Sequence, residues 1–237
     1  MNAINKIGFW SGVCAFAATT GYCLVQLLQV AGWLPSPLDE QLIYGTSLCI
    51  VIPFLLEMLA LHYTTPEPNK FWSHAALTFA TLYAVFVTAN YVVQLATVIP
   101  MTGKGRLDEV RLLQQTPHSL FWNFDALGYL FMGLSTTAAI PLFQKTGKQK
   151  RVRMALIANG LVLPLISIVY FYPDYSPTML LIGAPWSITA PLSMLLIALN
   201  FKTPQEHQKS SEAAQLKQVE NGSKKRQLPA KRSTTIN

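Results

Sequence analysis

Charged residues are scarce in this chain. They make up 12% of its 237 residues, against about a quarter in an ordinary soluble protein. Hydrophobic residues make up 51%, and the mean hydropathy is +0.32. This balance excludes a typical soluble domain and indicates a membrane protein, in which lipid rather than water meets most of the surface.

The basic excess also lacks the pattern of a nucleic-acid binder. A net charge of +7 would suggest nucleic acid in a soluble protein. Here the basic residues flank apolar runs, and no basic face interleaved with aromatic residues occurs outside the last 36 residues. We therefore predict membrane lipids as partners and no nucleic acid.

Cysteine is rare, at three residues: Cys14, Cys23 and Cys49. None belongs to a CxxC pair or has a histidine nearby in sequence, so the pattern predicts buried free thiols and no metal site. A disulfide between Cys23 and Cys49 stays open as an alternative. Thiols inside a bilayer are nevertheless poor candidates for a structural bridge.

Sequence motifs of catalysis are missing. There is no HExxH, GxSxG or P-loop motif and no paired acidic motif. We predict no catalytic residues and no cofactor. An intramembrane enzyme ranks third among the functional classes, because it would need a second acid or a metal ligand close to Asp125.

Long apolar runs are the dominant feature of the sequence. A helix needs about 20 mostly apolar residues to cross a bilayer, and six runs meet this length approximately. The pattern predicts an all-α polytopic helical bundle with transmembrane helices at 7–34, 42–61, 71–100, 119–143, 154–172 and 179–201. The first run is too long for a signal-peptide core and is predicted to stay uncleaved.

The chain ends in a polar, basic segment. We predict residues 1–201 to form the transmembrane domain and residues 202–237 to form a disordered basic cytoplasmic tail. The tail is interpreted as a solvated segment that helps to fix orientation. Contact with anionic lipid is the alternative.

The distribution of lysine and arginine predicts orientation. Of the 18 basic residues, 15 fall on the side of the chain termini and three in the loop between the third and fourth runs. Cytoplasmic loops carry the excess of basic residues. The sequence therefore predicts a bacterial inner-membrane protein with both termini in the cytoplasm.

Three polar residues in the third and fourth runs are the sharpest chemical signal. Asn90 and Gln94 lie one helical turn apart, and Asp125 lies in the next run. With a rise of about 1.5 Å per residue, Gln94 and Asp125 each lie roughly 9 Å below the outer surface, so they could meet. No lysine or arginine inside a run can pair with Asp125, which favours a hydrated or protonated acid.

Other helices carry polar or aromatic residues at the same outer level. This common depth predicts a polar cavity that opens outward and holds a small ligand. The candidate ligand-binding residues are Asp125, Asn90, Gln94, Gln26, Gln29, Tyr129, Trp122 and Trp186.

Glu57 stands apart, because it lies towards the cytoplasmic side. One interpretation is an interfacial carboxylate that reaches water or pairs with His62 or Lys70. The other is a proton relay, with Glu57 and Asp125 as candidate proton carriers. The loop at 101–118 has two interpretations as well: a surface amphipathic turn, or a lid over the cavity.

Several blocks carry a resemblance from one end of the bundle to the other. They are NYVVQLATVIP, PHSLFWNFDALGYLFMGLSTTAAIPLF, ANGLVLP, YFYP and APWSITAPL. With these blocks the chain resembles a group of uncharacterised bacterial multi-pass membrane proteins without an established activity. The resemblance implies the six-span fold and nothing about chemistry, and the long basic tail departs from it.

Two functional hypotheses follow from the sequence. In the first, the protein binds or transports a small polar or cationic solute through the outward-facing pocket. In the second, it is a membrane scaffold or sensor without transport activity, whose polar residues only tie helices together.

Overall fold

The computed structural model describes residues 1–202, and this part of the chain is helical without any strand. The predicted disordered tail lies outside the described residues, apart from Lys202. The α-helices are α1 (Ala3–Val30), α2 (Leu38–Thr64), α3 (Lys70–Val93), α4 (Ile99–Gly103), α5 (Leu107–Val110), α6 (Leu120–Ala138), α7 (Gln149–Phe171), α8 (Leu180–Gly183) and α9 (Trp186–Asn200).

Five helical stretches are long and apolar enough to cross a membrane. They are Ala3–Val30, Leu38–Thr64, Glu67–Gly103, Gln149–Phe171 and Leu180–Asn200. The all-helical prediction is thus confirmed for the described residues, and so are five helices of membrane-spanning character. Helix α6 has 19 residues but is not among the five. The reason is visible in its sequence, where Asn123 and Asp125 interrupt the apolar run.

The six long helices pack as a closed ring. Helix α1 packs against α2 and α9, α3 packs against α2 and α6, and α7 packs against α6 and α9. Each long helix therefore has a neighbour on both sides, so the ring surrounds a central space. Phe54, Leu156 and Ile197 are among the largest side chains buried completely within it.

The bundle has apolar side chains outside and polar side chains inside. Leu27, Leu161 and Ile188 are exposed by 66%, 71% and 70%. In contrast, Asn159 and Ser193 are exposed by at most 2%. This arrangement suits a hydrocarbon surround, because a buried amide or hydroxyl finds partners only within the bundle.

The cysteines correct one expectation. All three are free thiols, so the Cys23–Cys49 bridge does not form. Only Cys23 is buried, whereas Cys14 and Cys49 are exposed on the outer face of the bundle. The prediction of buried thiols was therefore wrong for two of the three.

A π-helical turn, Gln94–Val98, continues α3 into α4. Such wide turns often occur at functional sites, because the extra residue redirects the side chains around it. Gln94 is the first residue of this turn and is 1% exposed. The turn lies where α3 approaches the loop that precedes α6.

Candidate functional site

A cavity of about 590 Å³ opens at the end of the bundle that holds this loop. Ligand sites for small molecules typically have 300–1,000 Å³. Its walls come mainly from α1, α2, α6, α7 and the α8–α9 segment. The lining includes six predicted residues, which are Gln26, Gln29, Trp122, Asp125, Tyr129 and Trp186.

Asp125 lies in the wall of the cavity, near the start of α6. Ser119 caps this helix, because its hydroxyl accepts a hydrogen bond of 3.2 Å from the backbone N–H of Trp122. Asp125 lies one helical turn after Trp122 and is 5% exposed. The Tyr91 hydroxyl donates to its Oδ1 at 2.5 Å, and the Tyr170 hydroxyl donates to its Oδ2. Hydrogen bonds from α3 and α7 thus converge on the carboxyl group of Asp125 in α6.

A loop residue, Gln115, completes the shell around Asp125. Its Nε2 donates to Asp125 Oδ2 at 3.0 Å, and its Oε1 accepts from Asn90 Nδ2 at 2.8 Å. Gln94 holds the same loop, because its Nε2 donates to the Leu113 carbonyl at 2.7 Å. Its Oε1 also accepts from the backbone N–H of Gln115 at 3.3 Å.

The two predicted amides therefore have a different place from the one expected. Asn90 and Gln94 are near Asp125 but do not bond to it, and neither lines the cavity. Their side chains bond to the loop that precedes α6, and Gln115 of this loop bonds to Asp125. The physical reason is that both amides are almost completely buried, so they bond to the nearest polar groups of the loop, although Asn90 Oδ1 has no partner among the described residues.

A chain of hydrogen bonds runs along one wall of the cavity. The hydroxyls of Tyr129 and Tyr22 share a bond of 2.6 Å, and the Tyr22 hydroxyl donates to Gln26 Oε1 at 3.0 Å. Gln26 Nε2 donates to Gln29 Oε1 at 3.2 Å, and Gln29 Nε2 donates to Asp39 Oδ2 at 3.1 Å. The predicted glutamines of α1 thus connect the interior of the cavity to the start of α2.

Aromatic rings supply much of the remaining wall. The rings of Tyr129 and Trp186 meet edge to face with centroids 4.9 Å apart, and those of Trp122 and Tyr170 lie 4.7 Å apart. Eight aromatic residues line the cavity: Tyr22, Tyr44, Tyr91, Trp122, Tyr129, Tyr170, Tyr175 and Trp186.

The two tryptophans of the cavity differ in their hydrogen bonding. Trp122 Nε1 donates to the Tyr170 carbonyl at 3.1 Å. Trp186 Nε1 is buried without a partner. Tyr175, in the turn after α7, is half-buried, and burial raises the pKa of its hydroxyl, which keeps it neutral. Trp186 also lines the cavity, so an N–H without a partner among the described residues lies within the wall of the site.

The lining contains carboxyl groups but no basic side chain. Asp125 and Glu40 contribute carboxyl groups, with Glu40 in the first turn of α2. None of the lining residues is a lysine, arginine or histidine. A cavity with acids, aromatic faces and no basic group favours a cation over an anion.

A smaller hole of about 20 Å³ lies against the same residues. It is lined by Tyr22, Tyr91, Asp125, Tyr129 and Trp186, and also by deeper residues of α2 and α3. This volume is enough for one water molecule. Asp125 therefore borders both the ligand-sized cavity and a water-sized hole.

Glu57 does not line this cavity. It is 0% exposed, and neither carboxyl oxygen has a hydrogen-bond partner. The suggested partners engage each other, because Lys70 Nζ donates to the His62 carbonyl at 2.9 Å. The interpretation of Glu57 as a water-exposed or paired carboxylate was wrong.

None of the three groups that bond to Asp125, which are Tyr91, Gln115 and Tyr170, was among the candidate residues. Tyr91 shares the buried face of α3 with Val87 and Gln94, so helical spacing could have identified it. Gln115 lies in an irregular loop without periodicity. No local sequence signal distinguishes it from its neighbour Gln114.

Among residues 1–202, no group of three histidine, cysteine or acidic side chains is placed to hold a metal ion. Comparison with known proteins adds no further constraint. No family model, curated protein or solved structure matches this chain. The chemistry of the cavity is therefore the basis for a functional conclusion.

Proposed function

We propose that this protein is an integral membrane protein that binds a small organic cation in the Asp125 cavity and carries it across the membrane. The single observation behind the proposal is the composition of the lining, which combines carboxyl groups and eight aromatic residues without a basic side chain. Aromatic faces attract ammonium groups, most strongly where water is excluded.

Size and burial favour an organic cation over a metal ion. The cavity of about 590 Å³ is much larger than a bare ion, and hard cations prefer several oxygen ligands at close range. Asp125 has three protein donors already. A cation with methyl groups would fit such a wall, because it needs diffuse charge stabilisation rather than many direct ligands.

In the proposed topology all six long helices, α6 included, cross the membrane, with both termini in the cytoplasm. Support comes from the closed ring, which gives α6 two long neighbours, and from the 15 basic residues on the side of the termini. The loop around Gln115 is at the opposite end of the bundle. The cavity then opens away from the cytoplasm, as in a protein of the bacterial inner membrane.

The rival function is a scaffold or sensor without transport. It is favoured by one observation: Asp125 is satisfied by Tyr91, Tyr170 and Gln115 without any ligand. Buried polar groups of membrane bundles often serve only to tie helices together. The transport function requires that a cation binds, and so stabilises, the folded protein, whereas a scaffold does not.

The test uses choline and its neutral isostere, in which carbon replaces the ammonium nitrogen. Both are added to the purified full-length protein in detergent while the melting temperature is measured. We expect choline to raise the melting temperature in a concentration-dependent manner, since a ligand that binds only the folded state stabilises it. The isostere should give little or no shift.

Two variants of α6 test the role of the acid, one at Asp125 and one as its control. Asp125→Asn removes the acid and should reduce choline affinity by about tenfold or more, whereas Asn123→Ala changes an exposed residue of the same helix and should not. Equal effects of choline and its isostere, or no effect of either on the wild-type protein, would favour the scaffold.

A further inference from the structure

Glu57 lies in a sealed site between three helices. It belongs to α2, and its carboxyl group occupies the space in front of Gly12 on α1, where a Cβ atom would collide with Glu57 Oε1. The same Cβ would lie 2.6 Å from the Cβ of Ala198 on α9. The absence of a side chain at residue 12 therefore makes room for the carboxyl group.

The neighbourhood offers no counter-charge and no hydrogen bond. Neither oxygen of Glu57 has a partner among the described residues. Helix α9 has no titratable side chain in Trp186–Asn200. The titratable groups of α1, α2 and α3 and of the residue after Phe201, apart from Glu57 itself, are Lys6, Cys14, Tyr22, Cys23, Asp39, Glu40, Tyr44, Cys49, His62, Tyr63, Lys70, His74, Tyr83, Tyr91 and Lys202, and none of them bonds to Glu57.

Several of these groups have other contacts. Tyr83 packs edge to face on Phe54, with ring centroids 5.5 Å apart. Lys202 lies over the ring of Phe9, 4.0 Å from its centroid. Neither bonds to Glu57. An ionised carboxylate would thus be buried without compensation, which is too costly to persist.

An aromatic side chain packs next to this site, towards one end of the bundle. Phe201 packs against Gly8, one turn before Gly12, at a distance of 2.6 Å from a Cβ built there. Phe201 is 4% exposed, whereas Lys202 next to it is exposed. Phe201 therefore packs one turn from the Glu57 site, on the side of the exposed Lys202.

The opposite direction leads to the cavity. Ser47, Phe54 and Glu57 lie on the buried face of α2, and Ser47 lines the water-sized hole beside Asp125. Pro53 lies between them inside the helix. Since proline removes one backbone hydrogen bond, α2 has a weak point at this level, where the helix can bend.

From this geometry we propose that Glu57 is a proton-binding site: a carboxylic acid that is neutral in the sealed bundle and releases its proton to water when the α1–α2–α9 contact opens at Phe201. The proton leaves the carboxyl oxygen for a water molecule, and the carboxylate that forms is stable only while water reaches it. The link to cation transport rests on the proposed function, but the protonated state of Glu57 does not.

Infrared spectroscopy of the full-length protein tests the protonated state directly. At neutral pH the wild-type protein should show the carbonyl band of a protonated carboxyl group that is missing from both Glu57→Gln and Glu57→Met. Glu57→Met is a second variant of similar size, in case the amide of Glu57→Gln disturbs the fold. If the variants lose carboxylate bands instead, or lose no band, the proposal is overturned.

Vesicles with a pH-sensitive dye inside test the release step. Choline added outside should drive proton movement with the wild-type protein, and the movement should be lost in both Glu57 variants while choline still raises their melting temperature. Undiminished proton movement in the variants would overturn the proposal. If choline neither binds nor moves protons in the wild type, the cation function fails, and the infrared result alone decides the state of Glu57.

Discussion

The side-chain amide of Gln115 donates a hydrogen bond of 3.0 Å to Oδ2 of Asp125. The donor belongs to a loop and the acceptor to α6, so this bond fastens the loop to the wall of the cavity. A bound cation would compete for the same carboxyl group. This contact supports the interpretation of the 101–118 loop as a lid. Leu112 in the same loop is 89% exposed, which agrees with the alternative interpretation as a surface amphipathic turn.

Replacing Gln115 by alanine should loosen this loop. The change removes the bond to Asp125 and leaves Asn90 Nδ2 without its acceptor. Such a bond contributes about 0.5–1.5 kcal/mol, or more when one partner is charged. We expect amide hydrogen exchange in residues 111–116 to become roughly tenfold faster, as measured by mass spectrometry.

Gln114→Ala is the matched control, since the side chain of Gln114 makes no hydrogen bond within residues 1–202. Its exchange rates should stay near those of the wild type. Equal rates in the two variants would show that Gln115 does not hold the loop.

Removing either hydroxyl donor of Asp125 should destabilise the protein. Tyr91→Phe and Tyr170→Phe each leave a buried carboxyl oxygen with one donor fewer, at a cost of about 1–3 kcal/mol. Thermal unfolding in detergent should show a lower melting temperature for both. Tyr63→Phe, at a residue that is 64% exposed, should leave it unchanged, and a similar fall there would contradict the assignment.

The sequence predicted that polar residues of several helices lie at one common depth in the bundle, but it did not predict their hydrogen-bond partners. Gln26, Asp125 and Trp186 do line one cavity, because polar groups in apolar helices must face inward and depth follows from helical rise. Asn90 and Gln94 bond to the loop instead. The backbone course of an irregular loop leaves no periodic signal in sequence.

The burial of Glu57 could not be predicted from the sequence for a similar reason. Its depth along α2 allowed contact with water or with Lys70, and only the packing of α1 and α9 seals it. A glycine at residue 12 permits that packing, but a glycine in an apolar helix indicates close approach without naming the partner. The packing of α1 and α9, rather than the local sequence pattern, therefore determines the surroundings of Glu57.

Asn159 should contribute to stability but not to cation binding. It joins three helices, because its Nδ2 donates to Thr136 at 2.9 Å and its Oδ1 accepts from Thr189 at 3.0 Å. Bonds of this kind average about 0.6 kcal/mol in membrane proteins, with a maximum near 1.7. Asn159→Leu should thus lower unfolding stability by about 1–3 kcal/mol.

The matching control for Asn159 is Ser167→Ala, since the Ser167 hydroxyl bonds only within α7, to the Leu163 carbonyl at 2.9 Å. Its stability should change by less than that of Asn159→Leu. Choline should stabilise both variants as it does the wild type. A loss of the choline effect in Asn159→Leu alone would mean that the tie between α6, α7 and α9 shapes the cavity.

Two glycines of α1 allow a paired test of the sealed site. Gly12→Ala forces a methyl group into Glu57 and Ala198, whereas Gly21 has nothing within 4 Å of the corresponding position. Overpacking costs about 1–3 kcal/mol, while alanine at an open helical position is neutral or slightly stabilising.

We therefore expect Gly12→Ala to lower the melting temperature and Gly21→Ala to leave it equal or higher. Shortening the colliding side chain should reverse part of the loss, so the double variant Gly12→Ala/Glu57→Ala should be more stable than the sum of the single changes implies. Contacting residues show such non-additivity, and distant ones do not. Strict additivity of the two changes would mean that the Glu57 carboxyl group does not lie against Gly12, and the site between α1, α2 and α9 would lose its basis.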